Sequence, residues 1–103
     1  PENAAARGTQ LFEGLKKLKL KHAVVGDIRG GHGLMCALEL VSDQASKKPV
    51  EKDTATKIYD ATYNSGTMVR ISGPNIILSP PLVSQTTDIE QILTSLDKGL
   101  ASA

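Results

Sequence analysis

Two different periods govern the apolar residues along this 103-residue chain. In the first segment, PENAAARGTQLFEGLKKLKLKH, Leu11, Phe12, Leu15 and Leu18 stand at i, i+1, i+4 and i+7 and share one face of a helix. Asn3 is placed to cap that helix, and the alanines after it favour it. In AVVGDIRGGHGLMCALELV the period shortens to two. Val24 to Arg29 reads as one strand and Leu34 to Val41 as the next. In the second strand Met35, Ala37 and Glu39 alternate with Leu34, Cys36, Leu38 and Leu40. Gly30, Gly31 and Gly33 suit the sharp bend between the two. The polar stretch SDQASKKPVEKD, with Pro49 inside it, reads as a connection. Helical spacing returns with Ala55, Ile58, Tyr59 and Thr62, in a helix from about Glu51 to Asn64 that Gly66 ends. MVRISGPNIILSPPL then gives two short strands about a Ser-Gly-Pro-Asn turn, closed by Pro80 and Pro81. Ile89, Ile92, Leu93, Leu96 and Leu100 define a last helix, with Thr87 and Glu90 as its capping box.

The order α, β, β, α, β, β, α predicts an α+β fold. Two hairpins make a mostly antiparallel sheet of about four strands, with helices packed on one face. A single domain of this length buries enough surface for a real core. The chain has one Phe, two Tyr and no Trp, so aliphatic residues must fill that core.

Charge changes the picture little. Lys plus Arg is 12 and Asp plus Glu is 11, and a net charge of +1 predicts no strong attraction to nucleic acid or membrane. Lys16, Lys17, Lys19 and Lys21 crowd the end of the first helix, where the helix dipole favours cations. A solvated helix end explains them better than a nucleic-acid patch. The single Cys36 excludes an internal disulfide and suits a reducing, cytoplasmic setting. No apolar run approaches the ~18 residues of a membrane span, and the polar start shows no signal peptide.

Candidate chemistry is sparse. His22, His32 and Cys36 do not make a metal site. His32 at the glycine-rich tip has only a weak claim as an acid–base group. Neither a phosphate-binding glycine loop nor a nucleophile elbow is present. Tyr59 and Tyr63, four residues apart, suit packing. One residue stands out. Arg70, one of three arginines, sits between Val69 and Ile71 in an apolar strand. A guanidinium there faces water, pairs with an acid of this chain such as Glu39, or awaits a carboxylate from elsewhere.

Three stretches taken together resemble the C-terminal small domain of class III aminotransferases, fold-type I enzymes that use pyridoxal 5′-phosphate (PLP). They are ENAAARGTQLFEGLKKL, VGDIRGGHGLMCALELV and GTMVRISGPNIILSPPLVSQTTDIEQIL. The ω-transaminases, including those acting on β-alanine or other amines with pyruvate, are the nearest in pattern. The likeness runs from Glu2 to about Leu100. Ile71 stands where the family often has proline, and Pro74 where it often has aspartate.

The resemblance implies a role for Arg70: pairing with the carboxylate of a keto acid or amino acid substrate. It implies structural roles for Asp27, Arg29 and Glu39. It also implies an absence. The large domain that carries the Schiff-base lysine, the aspartate on the pyridine nitrogen and most phosphate-binding groups lies N-terminal to this region in the family. None of the nine lysines here sits in a stretch like that lysine motif. The expectation is a domain or truncated form that is not catalytic alone, with no catalytic, cofactor-binding or metal-binding residue of its own. An exposed apolar patch should mark where a large domain docks, or be hidden in a homodimer. The alternative is a stand-alone binding module that captures a carboxylate ligand or a protein partner.

Overall fold

The computed structural model describes residues 2–30, 35–67, 69–80 and 84–102. Eight elements follow one another: α1 (Glu2–Lys21), β1 (Val25–Arg29), β2 (Cys36–Asp43), β3 (Lys48–Pro49), α2 (Lys52–Asn64), β4 (Arg70–Ser72), β5 (Asn75–Leu78) and α3 (Thr86–Ala101). The expected α+β class holds, with one strand more than the four anticipated. Every pairing is antiparallel, in the order β1-β2-β5-β4, with β3 joined to the far end of β2.

Strand alternation divides the sheet into two unlike faces. Cys36, Leu38 and Leu40 of β2 and Ile76 and Leu78 of β5 point to one side and are buried. They meet Leu11, Leu15 and Leu18 of α1, Ala55 and Ile58 of α2, and Ile89, Leu96 and Leu100 of α3 in one core. Val25 and Ile28 of β1 both join that core although they are three residues apart. A bulge between Val25 and Asp27 absorbs the odd residue. All three helices therefore cover one face, and the other face is left without a helix.

The helices are seated by polar ties as well as by apolar area. Lys21 Nζ donates to Asp97 Oδ2 at 2.8 Å, and His22 Nε2 stands 2.6 Å from Asp97 Oδ1, so the end of α1 is held to α3. The two hydrogen bonds, Lys21 first and then His22, hold the Asp97 carboxyl below its ordinary value. Between α2 and α3 the backbones run close at Gly99. A Cβ there would overlap Thr62 Oγ1 and lie 3.0 Å from the Ile58 carbonyl oxygen. Gly66, at φ 113°, takes the left-handed position after the Ser65 C-cap of α2, as the sequence suggested.

Four local expectations change. Asn3 lies inside α1 and does not cap it; its Nδ2 donates to the Ser84 carbonyl at 2.9 Å, tying α1 to the entry of α3. The capping box of α3 is built by Gln85 and Asp88, two residues before the Thr87/Glu90 pair, because the helix already starts at Thr86. The connection around Pro49 contains β3, an edge strand in which proline is tolerated. Tyr59 packs on the core, whereas Tyr63 is 52% exposed and does not. Gly31, His32, Gly33 and Leu34 lie outside the described residues, and so does the glycine-rich tip expected there; Pro81, expected to close the strand after the second turn, lies outside them as well.

Candidate functional site

The answer to the Arg70 question comes from the β4–β5 hairpin. Ser72, Gly73, Pro74 and Asn75 make the turn, with Gly73 at φ 58°. The register that follows pairs Ser72 with Asn75, Ile71 with Ile76 and Arg70 with Ile77. Ile76 is fully buried in the core, so its partner Ile71 points to the helix side. Arg70, one residue away, must point to the helix-free face. It is exposed there. Among the described residues no ion pair or side-chain hydrogen bond engages it, and none joins it to Glu39. Glu39 pairs across the ladders with Asp27 and Asn75, one row away. Of the three possibilities, pairing within the chain is the one not found among the described residues.

Around Arg70 the surface is concave. Tyr59, Val69, Ile71, Ile77 and Ser79 line a hollow of about 540 Å³ with it. Val69, Ile71 and Ile77 make its lining largely apolar. A cationic fork bordering such a hollow is suited to a carboxylate carrying a small apolar body. A second concavity, about 790 Å³, is bordered by Lys21, His22, Asp43, Glu51 and Leu100 and lies away from Arg70. Its two acids oppose the binding of an anion there.

PLP does not fit on these residues. Its Schiff base requires a lysine beside the substrate, and β1, β2, β4 and β5 carry none. No lysine borders the Arg70 hollow among the described residues. The described residues also contain no cluster of side chains able to hold a metal ion, and no helix long and apolar enough to cross a membrane.

Sequence reasoning assigned Arg29 to structure alone. In the fold it lies on the same face as Arg70, in the same cross-strand row: Arg29 pairs with Ala37, Ala37 with Ile77, and Ile77 with Arg70. Arg29 NH2 donates to Asn75 Oδ1 at 3.1 Å. Asp27, also read as structural, accepts the Ile28 backbone N–H on its Oδ1 at 2.9 Å. Periodicity along one strand could not give this row, which depends on strand order. The large exposed apolar residues, Leu20, Met35, Tyr63 and Ile71, are scattered over α1, α2, β4 and the residue before β2, and on this face only Met35 stands out, beside the half-buried Ala37 and Ile77.

Comparison with known proteins agrees with this fold. The family described as Aminotransferase class-III matches residues 1–100. Taurine–pyruvate aminotransferase of Bilophila wadsworthia is 32% identical over 98% of this chain, which spans 24% of that protein. An (R)-1-hydroxy-2-aminoethylphosphonate ammonia-lyase of Vibrio splendidus is 33% identical over 97% of the chain, which spans 21% of it. Among solved structures, the amine transaminase of an uncultivated Pseudomonas species, in its PLP-bound internal aldimine form, superposes with a TM-score of 0.92 at 40% identity. That match covers 98% of this chain and 23% of the transaminase. The chain thus spans about a quarter of the length of the proteins it matches. With its whole described fold and nearly all of its sequence accounted for in this way, the chain belongs to the class III aminotransferase family.

Proposed function

We propose that this chain is the C-terminal small domain of a class III aminotransferase, a fragment or truncated form that is not catalytic alone. In the complete enzyme the reaction is amino transfer between an amine or amino acid and a keto acid such as pyruvate. PLP and its lysine belong to a large domain outside this chain. The part played here is to present Arg70, which anchors the substrate carboxylate through two parallel hydrogen bonds. The observation that carries this reading is Arg70 itself: exposed, unpaired among the described residues, and bordering a largely apolar hollow. The match to a lyase as well as to transaminases fits a domain that binds substrate while the reaction type is set elsewhere.

Two measurements test it. Sequencing upstream of the Pro1 codon should show the reading frame continuing into a domain with a PLP lysine. In that full-length protein Arg70→Ala should raise the KM for pyruvate by about 10- to 100-fold, the worth of a charge-assisted pair. A frame that opens at Pro1 would overturn the fragment reading and favour the binding module, for which the same exposed arginine is the evidence. An unchanged KM for pyruvate would remove the anchor.

A further inference from the structure

We propose that Arg29 and Arg70 form a two-point site for a ligand with an anionic group at each end of an apolar spacer, the class of α,ω-dicarboxylates. The inference rests on the carboxylate-anchor reading of Arg70 and adds a second residue and a ligand shape to it.

The ladder register supplies the frame. Arg29, Ala37, Ile77 and Arg70 stand side by side on β1, β2, β5 and β4. Directly paired residues share a face, so both arginines project from the helix-free side. Three strand spacings separate their Cα atoms by ~14 Å. The cationic ends are closer than that. Arg29 NH2 reaches Asn75 Oδ1 on β5, two strands from its own backbone. To arrive there its side chain must cross β2 on the face where Ala37 offers only a methyl group. The Arg29 guanidinium therefore stands over the strand that neighbours Arg70. It has spent one donor on Asn75, and a guanidinium has five N–H donors.

The floor between the arginines is apolar. A hollow of about 420 Å³ bordered by Arg29, Met35, Ala37 and Ile77 adjoins the Arg70 hollow, and Ile77 lines both. No acidic residue borders either hollow among the described residues. The acids of this face, Asp27 and Glu39, occupy the next row with Asn75 and Ser72. Neither forms an ion pair with an arginine among the described residues. They bound the site on one side, so an extended diacid lies along the arginine row. Each carboxylate then meets one guanidinium, and the methylenes lie on Ile77, since the Arg29 side chain itself passes over Ala37.

Calorimetric titration of the chain at low salt tests this, with butyrate and hexanoate against succinate, adipate and suberate. Adipate or suberate should bind about tenfold or more tighter than hexanoate, since a second charge-assisted pair is made. Arg29→Gln should cut that ratio to about two, the statistical advantage of two equivalent ends. Should Arg29→Gln lose its far-ultraviolet circular dichroism, Arg29→Lys replaces it: charge is kept but the fork is lost, and the ratio should fall to an intermediate value. A diacid advantage of twofold or less in the native chain overturns the two-point site. So does an advantage that survives loss of Arg29. If hexanoate binds through Arg70 while diacids gain nothing, the anchor reading stands and this inference fails. If no acid binds saturably, both fail.

Discussion

The two faces of one sheet differ more than any two elements of the molecule. On the helix side Cys36, Leu38, Leu40, Ile76 and Leu78 are buried and apolar. On the other side Asp27, Arg29, Glu39, Arg70 and Asn75 alternate with them along the same strands. The period of two that buries one set necessarily presents the other. Apolar burial is thereby lodged on the covered face and charge on the bare one.

The largest expected effect that sharpens this contrast is on the covered face. Leu38 is fully buried between β1 and β5, and Leu38→Ala should cost about 2–5 kcal/mol in urea unfolding, as deleted core methyls leave a cavity. Next comes the helix seat at Gly99. Gly99→Ala should destabilise by about 1–2 kcal/mol, because overlap with Thr62 outweighs the better helix propensity of alanine. Thr62→Ala in the same chain should recover part of that loss, and a double-mutant cycle measures the coupling.

On the bare face the numbers should be smaller. Ile77→Ala is expected to cost about 1 kcal/mol, since the side chain is half-buried. Arg70→Ala should change stability by less than about 0.5 kcal/mol while removing carboxylate binding. The contrast breaks if Ile77→Ala costs as much as Leu38→Ala in the isolated chain. That result would mean the face is covered in solution, and sedimentation would then show self-association.

The smallest effect concerns pH and belongs to the helix side. Lys21 and His22 hold the Asp97 carboxyl below 3.8, its ordinary value. The folded chain therefore binds that proton less readily than the unfolded chain. The resulting stability is complete above 3.8 and is lost as pH falls through and below it. Asp97→Asn should narrow the gap to the native chain as the pH drops from about 6 to about 3, read from urea midpoints. A gap that widens on acidification would refute the assignment.

Much of this was legible in the residue order, and the parts that were not share a cause. Alternation in Met35–Leu40 gave the two faces of β2 because burial on one side imposes it locally. The place of Arg70 in a hairpin followed from the Gly-Pro turn. The capping box was misplaced because the Thr-x-x-Glu pattern fitted a familiar template, whereas glutamine at 85 is an uncommon cap. Asn3 fills a similar gap: its partner Ser84 is 81 residues distant, beyond any local pattern. The arginine row needed the order β1-β2-β5-β4, and periodicity along one strand carries no information about which strand lies beside it.

That order has a kinetic consequence. Residues 37–39 of β2 are held on one side by β1 and on the other by β5, whose register joins Cys36 to Leu78 and Glu39 to Asn75. The β1–β2 and β4–β5 hairpins close short loops, but joining them spans some forty residues and a whole helix, so their union is the slow step of folding. Amide hydrogens in the middle of β2 should exchange only when the entire chain opens. Those of β4, three residues at the outer edge, should exchange through local fraying. Arg70 therefore stands on an edge strand that should fray before the middle of the sheet opens.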